Sequence, residues 1–361
     1  MNYKETLFFV AKCLTISHEE ENKKLVEEKI VSGSVNWDNV VKLSTSHFVF
    51  PALYCNLKRA DFLQYLPNDL VEYMQHITQL NRERNEQIIE QAKEINQLLL
   101  DNGITPIFLK GTGNLLEGLY EDIAERMVGD IDFIIHKSDY LQTIKLLKSK
   151  NYSYVANLKY NFPSFKHYPR IQNEQKIAAV EIHKQITIEK YANEFNFDFV
   201  VKDKQVINGV NVLSYQHQLC LSIIAKQIND DGIYFKDISL RNAYDVFLLS
   251  KKTSAKNSFD KLNKLKKPLN SFLASCHFVF GEIESLDYKD CKDTQSYLSF
   301  FKRLLNDSQL QKKHFSKQKK YIYLKSRLNI IYKSIFDKDH RFWLIKRLTD
   351  NELKKQLKNL N

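Results

Sequence analysis

The residues that could do chemistry begin at Gly129, where "GDIDFII" sets Asp130 and Asp132 two positions apart in an otherwise apolar run. On a strand, residues i and i+2 share one face, about 6.6 Å apart. The two carboxylates then project together, while Ile131, Phe133 and Ile135 point into a core. Carboxylates held this close push each other toward protonation unless a cation neutralises them. Divalent metal answers that need: two hard cations about 3.5–4 Å apart can share such a pair and clamp an in-line phosphoryl displacement. Taken alone, a D-x-D is more often the solvent face of a half-buried strand, so the assignment rests on its company.

Three other stretches supply that company. In "VEIHKQ", Glu181 and His183 alternate with core positions Val180 and Ile182, so a strand paired beside the first would add Glu181 as a third acidic ligand. In "LKGTGN", a strand ends at Leu109, and Gly111 and Gly113 allow a tight turn into a helix whose first N–H groups suit phosphate. Lys110 adds charge there and Thr112 a hydroxyl. The stretch lacks the G-x-x-x-x-G-K-[ST] pattern, and Leu116 stands where a dinucleotide-binding turn needs its third glycine. Finally, Arg126, four residues before Asp130, can reach a phosphate oxygen or pair with an aspartate.

These residues need elements to hold them. Residues 1 to about 100 read as helices, the longest from about Asn68 to Asp101 with Ile88, Ala92, Ile95 and Leu99 as one buried stripe. Asn102-Gly103 signals its end. "TPIFLK", "VGDIDFIIH", "YSYVA" and "QKIAAVEIHKQI" read as strands, "KSDYLQTIKLLKSKN" as an amphipathic helix, and "KQVINGVNVLS" as a hairpin around Asn208-Gly209. Helices resume after Tyr215. The expected class is α+β: a helical segment over 1–103, a small mixed-sheet core over 104–213, and a helical domain with a basic tail over 214–361.

A chain of 361 residues with 43% hydrophobic content can build a real core and is not disordered. Its net charge of +11 belongs to the tail: residues 301–361 carry 17 Lys and Arg against 5 Asp and Glu, which leaves the rest near −1. Tyr321, Tyr323, Tyr332, Phe342 and Trp343 are interleaved with those cations. That mixture suits contact with RNA, and equally suits helices with an aromatic core stripe and basic outer faces. Five scattered cysteines without C-x-x-C spacing suit reduced thiols in a cytoplasmic protein. The first residues lack a signal-peptide cleavage site, and no apolar run is long enough to span a membrane.

The order of strand, glycine turn with Lys and Thr, helix, D-x-D strand and later Glu strand resembles the DNA polymerase β-type nucleotidyltransferase superfamily. Within it, the chain is most similar to the bacterial uncharacterised nucleotidyltransferase family proteins. The resemblance is carried by "GITPIFLKGTGNLLEGLY", "ERMVGDIDFII", "VEIHKQI" and, more loosely, "LRNAYDVFLL", over roughly residues 100–250. It implies that 104–213 is the nucleotidyltransferase core and that an NMP passes from an NTP to a hydroxyl, with two Mg²⁺ ions (or Mn²⁺) as cofactors. By position, Gly111 and Thr112 would hold the β and γ phosphates, and Asp130 and Asp132 both metals. Glu181 would stand as third carboxylate beside the acceptor. Lys110, Arg126 and His183 would bind phosphate or orient the site, and Asp245 would support a helix behind it. Thr112 replaces the usual serine, and Lys184 stands where an aromatic residue is common, which leaves the acceptor side open. A small molecule, a protein hydroxyl and an RNA 3′ end all remain as acceptors. The rival classes are a catalytically inactive binding or assembly module and a metal-dependent hydrolase.

Overall fold

The computed structural model describes residues 1–155 and 166–359. Five helices lead: α1 (Tyr3–Cys13), α2 (Glu20–Val31), α3 (Trp37–Ser46), α4 (Phe50–Arg59) and α5 (Asn68–Leu100). The central elements follow as β1 (Ile107–Phe108), α6 (Lys110–Glu117), β2 (Asp130–Ile134), α7 (Tyr140–Ser149), β3 (Ser153–Tyr154), β4 (Ile171–Gln172), β5 (Ala179–His183), α8 (Phe197–Val200), β6 (Gln205–Ile207) and β7 (Val210–Val212). Helices α9 (Tyr215–Ile224), α10 (Gly232–Phe235), α11 (Leu240–Ser250), α12 (Lys266–Phe280), α13 (Lys292–Asn306), α14 (Ser308–Phe336), α15 (Lys338–Thr349) and α16 (Asn351–Asn359) complete the order. This is an α+β fold in which a seven-stranded mixed sheet, ordered β3-β4-β5-β2-β1-β7-β6, is flanked by helical segments.

The long helix forms as its periodicity dictates. Ile88, Ala92, Ile95 and Leu99 are buried on one face of α5, and Gly103 turns out at a left-handed φ of 73°. The hairpin also forms as expected, with Asn208 and Gly209 both at positive φ between β6 and β7. The strand expected over "TPIFLK" narrows to Ile107–Phe108. Pro106 has no N–H to give a ladder, and Lys110 turns the chain at a φ of 53°. The longer strand expected through "QKIAAVEIHKQI" pairs only over Ala179–His183. The last residue of "YSYVA" lies outside the described residues.

One apolar core includes Leu7 of α1, Phe133 of β2, Phe247 of α11 and Phe301 of α13, and α1 packs against α12. The sheet is covered on both faces, so Ile134 is as buried as Ile131 and Phe133. The tail differs from the expectation of an aromatic core stripe. Trp343 is buried, but Tyr321, Tyr323, Tyr332 and Phe342 are each about half exposed or more. No helix among the described residues is long and apolar enough to cross a membrane.

Candidate active site

Strands β2 and β5 pair in parallel, and their register sets Asp132 directly opposite Glu181 and Ile134 opposite His183. That register turns two separate acidic stretches into one cluster. The Oδ1 atom of Asp132 lies 2.8 Å from His183 Nε2 and accepts from Lys110 Nζ at 2.5 Å. Glu181 Oε2 stands 3.7 Å from Lys110 Nζ, 3.5 Å from His183 Nε2 and 3.8 Å from His167 Nε2. His183 is fully buried, and both of its ring nitrogens face acceptors, since Nδ1 lies 3.2 Å from the Gln185 carbonyl.

Asp130 is held from the other side. Arg170, just before β4, donates through Nη2 to Asp130 and through Nε to Glu181 at 3.1 Å. Neither Arg170 nor His167 was among the sequence-derived candidates. Both enter because β4 runs antiparallel to β5 with Ile171 opposite Val180, which brings Arg170 alongside Glu181. No local motif marks them.

The charges answer to this packing. Burial opposes ionisation of Asp132, but Lys110 and His183 outweigh it and hold the carboxyl well below the usual carboxylate range. Burial likewise opposes the charge on Glu181, and its hydrogen bond with His183 brings that carboxyl down. Asp130 goes the other way: burial, reinforced by Glu181 and Asp132, prevails over Arg170 and raises it. Lys110 is pushed down by burial but lifted further by Asp132 and Glu181, which keeps it an ammonium.

Helix α6 delivers the turn. Its eight residues start at Lys110, and the backbone N–H groups of Gly111 and Thr112 have no hydrogen-bond acceptor among the described residues. Gly113 is where the helix meets the sheet: a Cβ there would stand 2.9 Å from the Phe108 carbonyl oxygen. At Gly111 a Cβ would meet Val128 Cγ2 at 2.9 Å and Arg126 Cζ at 3.5 Å. Thr112 is buried and its hydroxyl donates to the Asp130 carbonyl at 2.9 Å, fastening α6 to β2. With that hydroxyl hydrogen engaged, what Thr112 offers an anion is its N–H.

Arg126 lies behind the turn. Its Nε donates to both oxygens of Asp245 on α11, at 3.0 and 3.1 Å, and its Nη1 to the Met127 carbonyl. Tyr120 also donates to Asp245, at 2.7 Å. The segment entering β2 is further stapled by α5: Asn81 donates to the Ala124 carbonyl and Asn85 to those of Ile123 and Arg126. Buried Glu125 accepts from Arg59 at 2.6 Å and from Tyr244. Thus the long helix, whose role is not legible in the D-x-D motif, sets the height at which Asp130 and Asp132 emerge.

One ligand atom each from Asp132, Glu181 and His183 lie within 4.8 Å of one another, two carboxylates and an imidazole of the types that hold a divalent metal ion.

The profile of the family described as "Uncharacterised nucleotidyltransferase" matches residues 33–279, more than half of the chain. Among solved structures, JHP933 from Helicobacter pylori is similar at 17% identity over 68% of this chain and 97% of that one. Its TM-score of 0.30 is too low to bear on the fold. No match was found among curated proteins.

Proposed function

Because the chain belongs to the uncharacterised nucleotidyltransferase family, we propose that it moves an NMP from an NTP to a hydroxyl acceptor at the Asp130–Asp132–Glu181 cluster and releases pyrophosphate. The observation that carries this reading is the β2–β5 register, which sets Asp132 against Glu181 beside the N-terminus of α6. Asp130, Asp132 and Glu181 would hold two Mg²⁺ ions or their Mn²⁺ equivalents. Such ions supply charge neutralisation at the phosphates and lower the pKa of a nearby hydroxyl.

The chain's own groups do the positioning. The N–H groups of Gly111 and Thr112 receive the β and γ phosphates. Lys110 stays charged beside them and steadies the outgoing pyrophosphate. Arg126, anchored by Asp245, turns Nη2 toward Gly111 and keeps the turn in place. His183 orients Asp132. The acceptor oxygen bonds to the α-phosphorus, the bond from that phosphorus to the bridging oxygen breaks, and Glu181 takes the hydroxyl proton. The reaction needs no membrane. Five free cysteines, four of them buried, support a cytoplasmic setting.

One observation favours a second reading. Every carboxylate of the cluster already has a cationic partner in Lys110 or Arg170, as an inactive module for binding or assembly would have. A labelling assay separates the two. The purified protein is incubated with each α-phosphate-labelled NTP and Mg²⁺, with RNA, lysate protein or a metabolite extract as acceptor. Label in one fraction, lost with chelator and in Asp132→Asn, establishes transfer and the acceptor class. Absence of label together with absence of NTP binding supports the inactive module.

A further inference from the structure

Helix α14 carries a surface that the catalytic cluster does not use. Across its 29 residues it holds eight Lys and Arg and no Asp or Glu. Tyr321, Leu324, Leu328, Ile331 and Ile335 recur at steps of three, four, three and four, which lines them along one face. A stripe with that spacing ordinarily faces a core. Here the five are 49, 59, 66, 52 and 60% exposed, and Phe336 beyond them is 74% exposed. The docked side lies about 100° around the helix from the stripe: Ile330 and Ser334 are buried, Arg341 of α15 donates to the Ser334 and Ile335 carbonyls, and Tyr321 at the start of the stripe packs on Tyr234 of α10. Lys320, Lys325 and Arg327 border the apolar stripe by helical spacing, and Lys325 stands over the rings of Tyr234 and Tyr321.

The five stripe residues, exposed to this degree, leave on the order of 500 Å² of apolar surface along one face, toward the upper end of what a monomer shows to water. The stripe runs for roughly 21 Å. We propose that this face of α14 lies on an anionic lipid surface, with Leu324, Leu328, Ile331 and Ile335 entering the headgroup–acyl boundary and the flanking cations pairing with lipid phosphates. The proposal is independent of the transfer reaction. Three features select this occupant. An apolar arc bordered by Lys and Arg, with aromatic rings at its ends, is the pattern of helices lying in a membrane interface. A second copy would set one acid-free, basic helix against another, and like charges oppose that pairing. RNA would account for the cations and tyrosines but not for four exposed aliphatic residues, which have no ring to stack on a base.

The test is sedimentation of the full chain with vesicles of phosphatidylcholine alone or of phosphatidylcholine with phosphatidylglycerol. The chain should sediment with the anionic vesicles only, less so as salt rises. The double variant Leu328→Glu/Ile331→Glu should bind them at least about tenfold more weakly, with an unchanged circular dichroism spectrum because both positions are exposed. No sedimentation with anionic vesicles, or equal binding by the variant, overturns the proposal. So does binding of single-stranded RNA, or a dimer seen by light scattering, that the variant abolishes in a chain that ignores vesicles.

Discussion

Asp245→Ala should be among the most damaging single substitutions near the site, although Asp245 is not one of the clustered carboxylates. Arg126 is 7% exposed and Asp245 1% exposed. Removing the carboxylate leaves a buried guanidinium with one carbonyl partner and takes the acceptor from the Tyr120 hydroxyl. Breaking a buried ion pair from one side costs about 3–5 kcal/mol, and a buried hydroxyl hydrogen left without an acceptor, though Asn114 still donates to that oxygen, about 1–3 kcal/mol more. Some relaxation is available, so a net loss of about 4 kcal/mol is expected, a large share of the 5–15 kcal/mol typical of a folded domain. Urea unfolding followed by circular dichroism reads it directly. The control is Arg126→Met/Asp245→Leu, which replaces the pair with apolar groups and should return to within about 1–2 kcal/mol of the parent. That double variant should still label poorly, because nothing then backs the Gly111 turn. A loss below about 1 kcal/mol for Asp245→Ala, or a double variant as unstable as the single one, would refute the reasoning that charge burial dominates at this pair.

Asp132→Asn keeps shape and should lower NMP transfer by at least about a hundredfold with an intact fold; a fall of less than tenfold in the labelling assay would remove Asp132 from the site. Gly113→Ala forces a Cβ to 2.9 Å from the Phe108 carbonyl oxygen, which backbone cannot easily yield, and should cost about 1–3 kcal/mol by urea unfolding. His47 accepts from the Leu240 N–H at 3.2 Å, and burial pushes its imidazole down to about 4. Protonation therefore favours the unfolded chain: this stability is fully present above about pH 6.5 and is lost as pH falls toward 4. Since carboxylates titrate there too, the readout is a comparison, and His47→Gln should show a shallower loss of stability between those pH values than the parent.

Much of the site follows from local pattern. Asp130 and Asp132 share a strand face because side chains alternate there, and Gly111 with Gly113 marks a helix entry because glycine permits a tight turn off a strand. The stripe on α5 and the Asn208-Gly209 turn are legible for the same reason: period and positive φ are properties of the chain itself. Arg170 and His167 are not legible, because their approach to Glu181 depends on which strands pair and in what register. Arg126 could be assigned to phosphate or to an aspartate from sequence, and only the packing of α11 behind the turn brings Asp245 to it. The tail makes the contrast sharpest. Periodicity states that α14 has an apolar face, but whether that face is covered depends on its neighbours. In the folded chain α15 takes the side of Ile330 and Ser334 and leaves Leu328 and Ile331 to the solvent. Alternation, spacing and composition are written along the chain, whereas register, coverage and the pairing of distant charges exist only once the chain has folded.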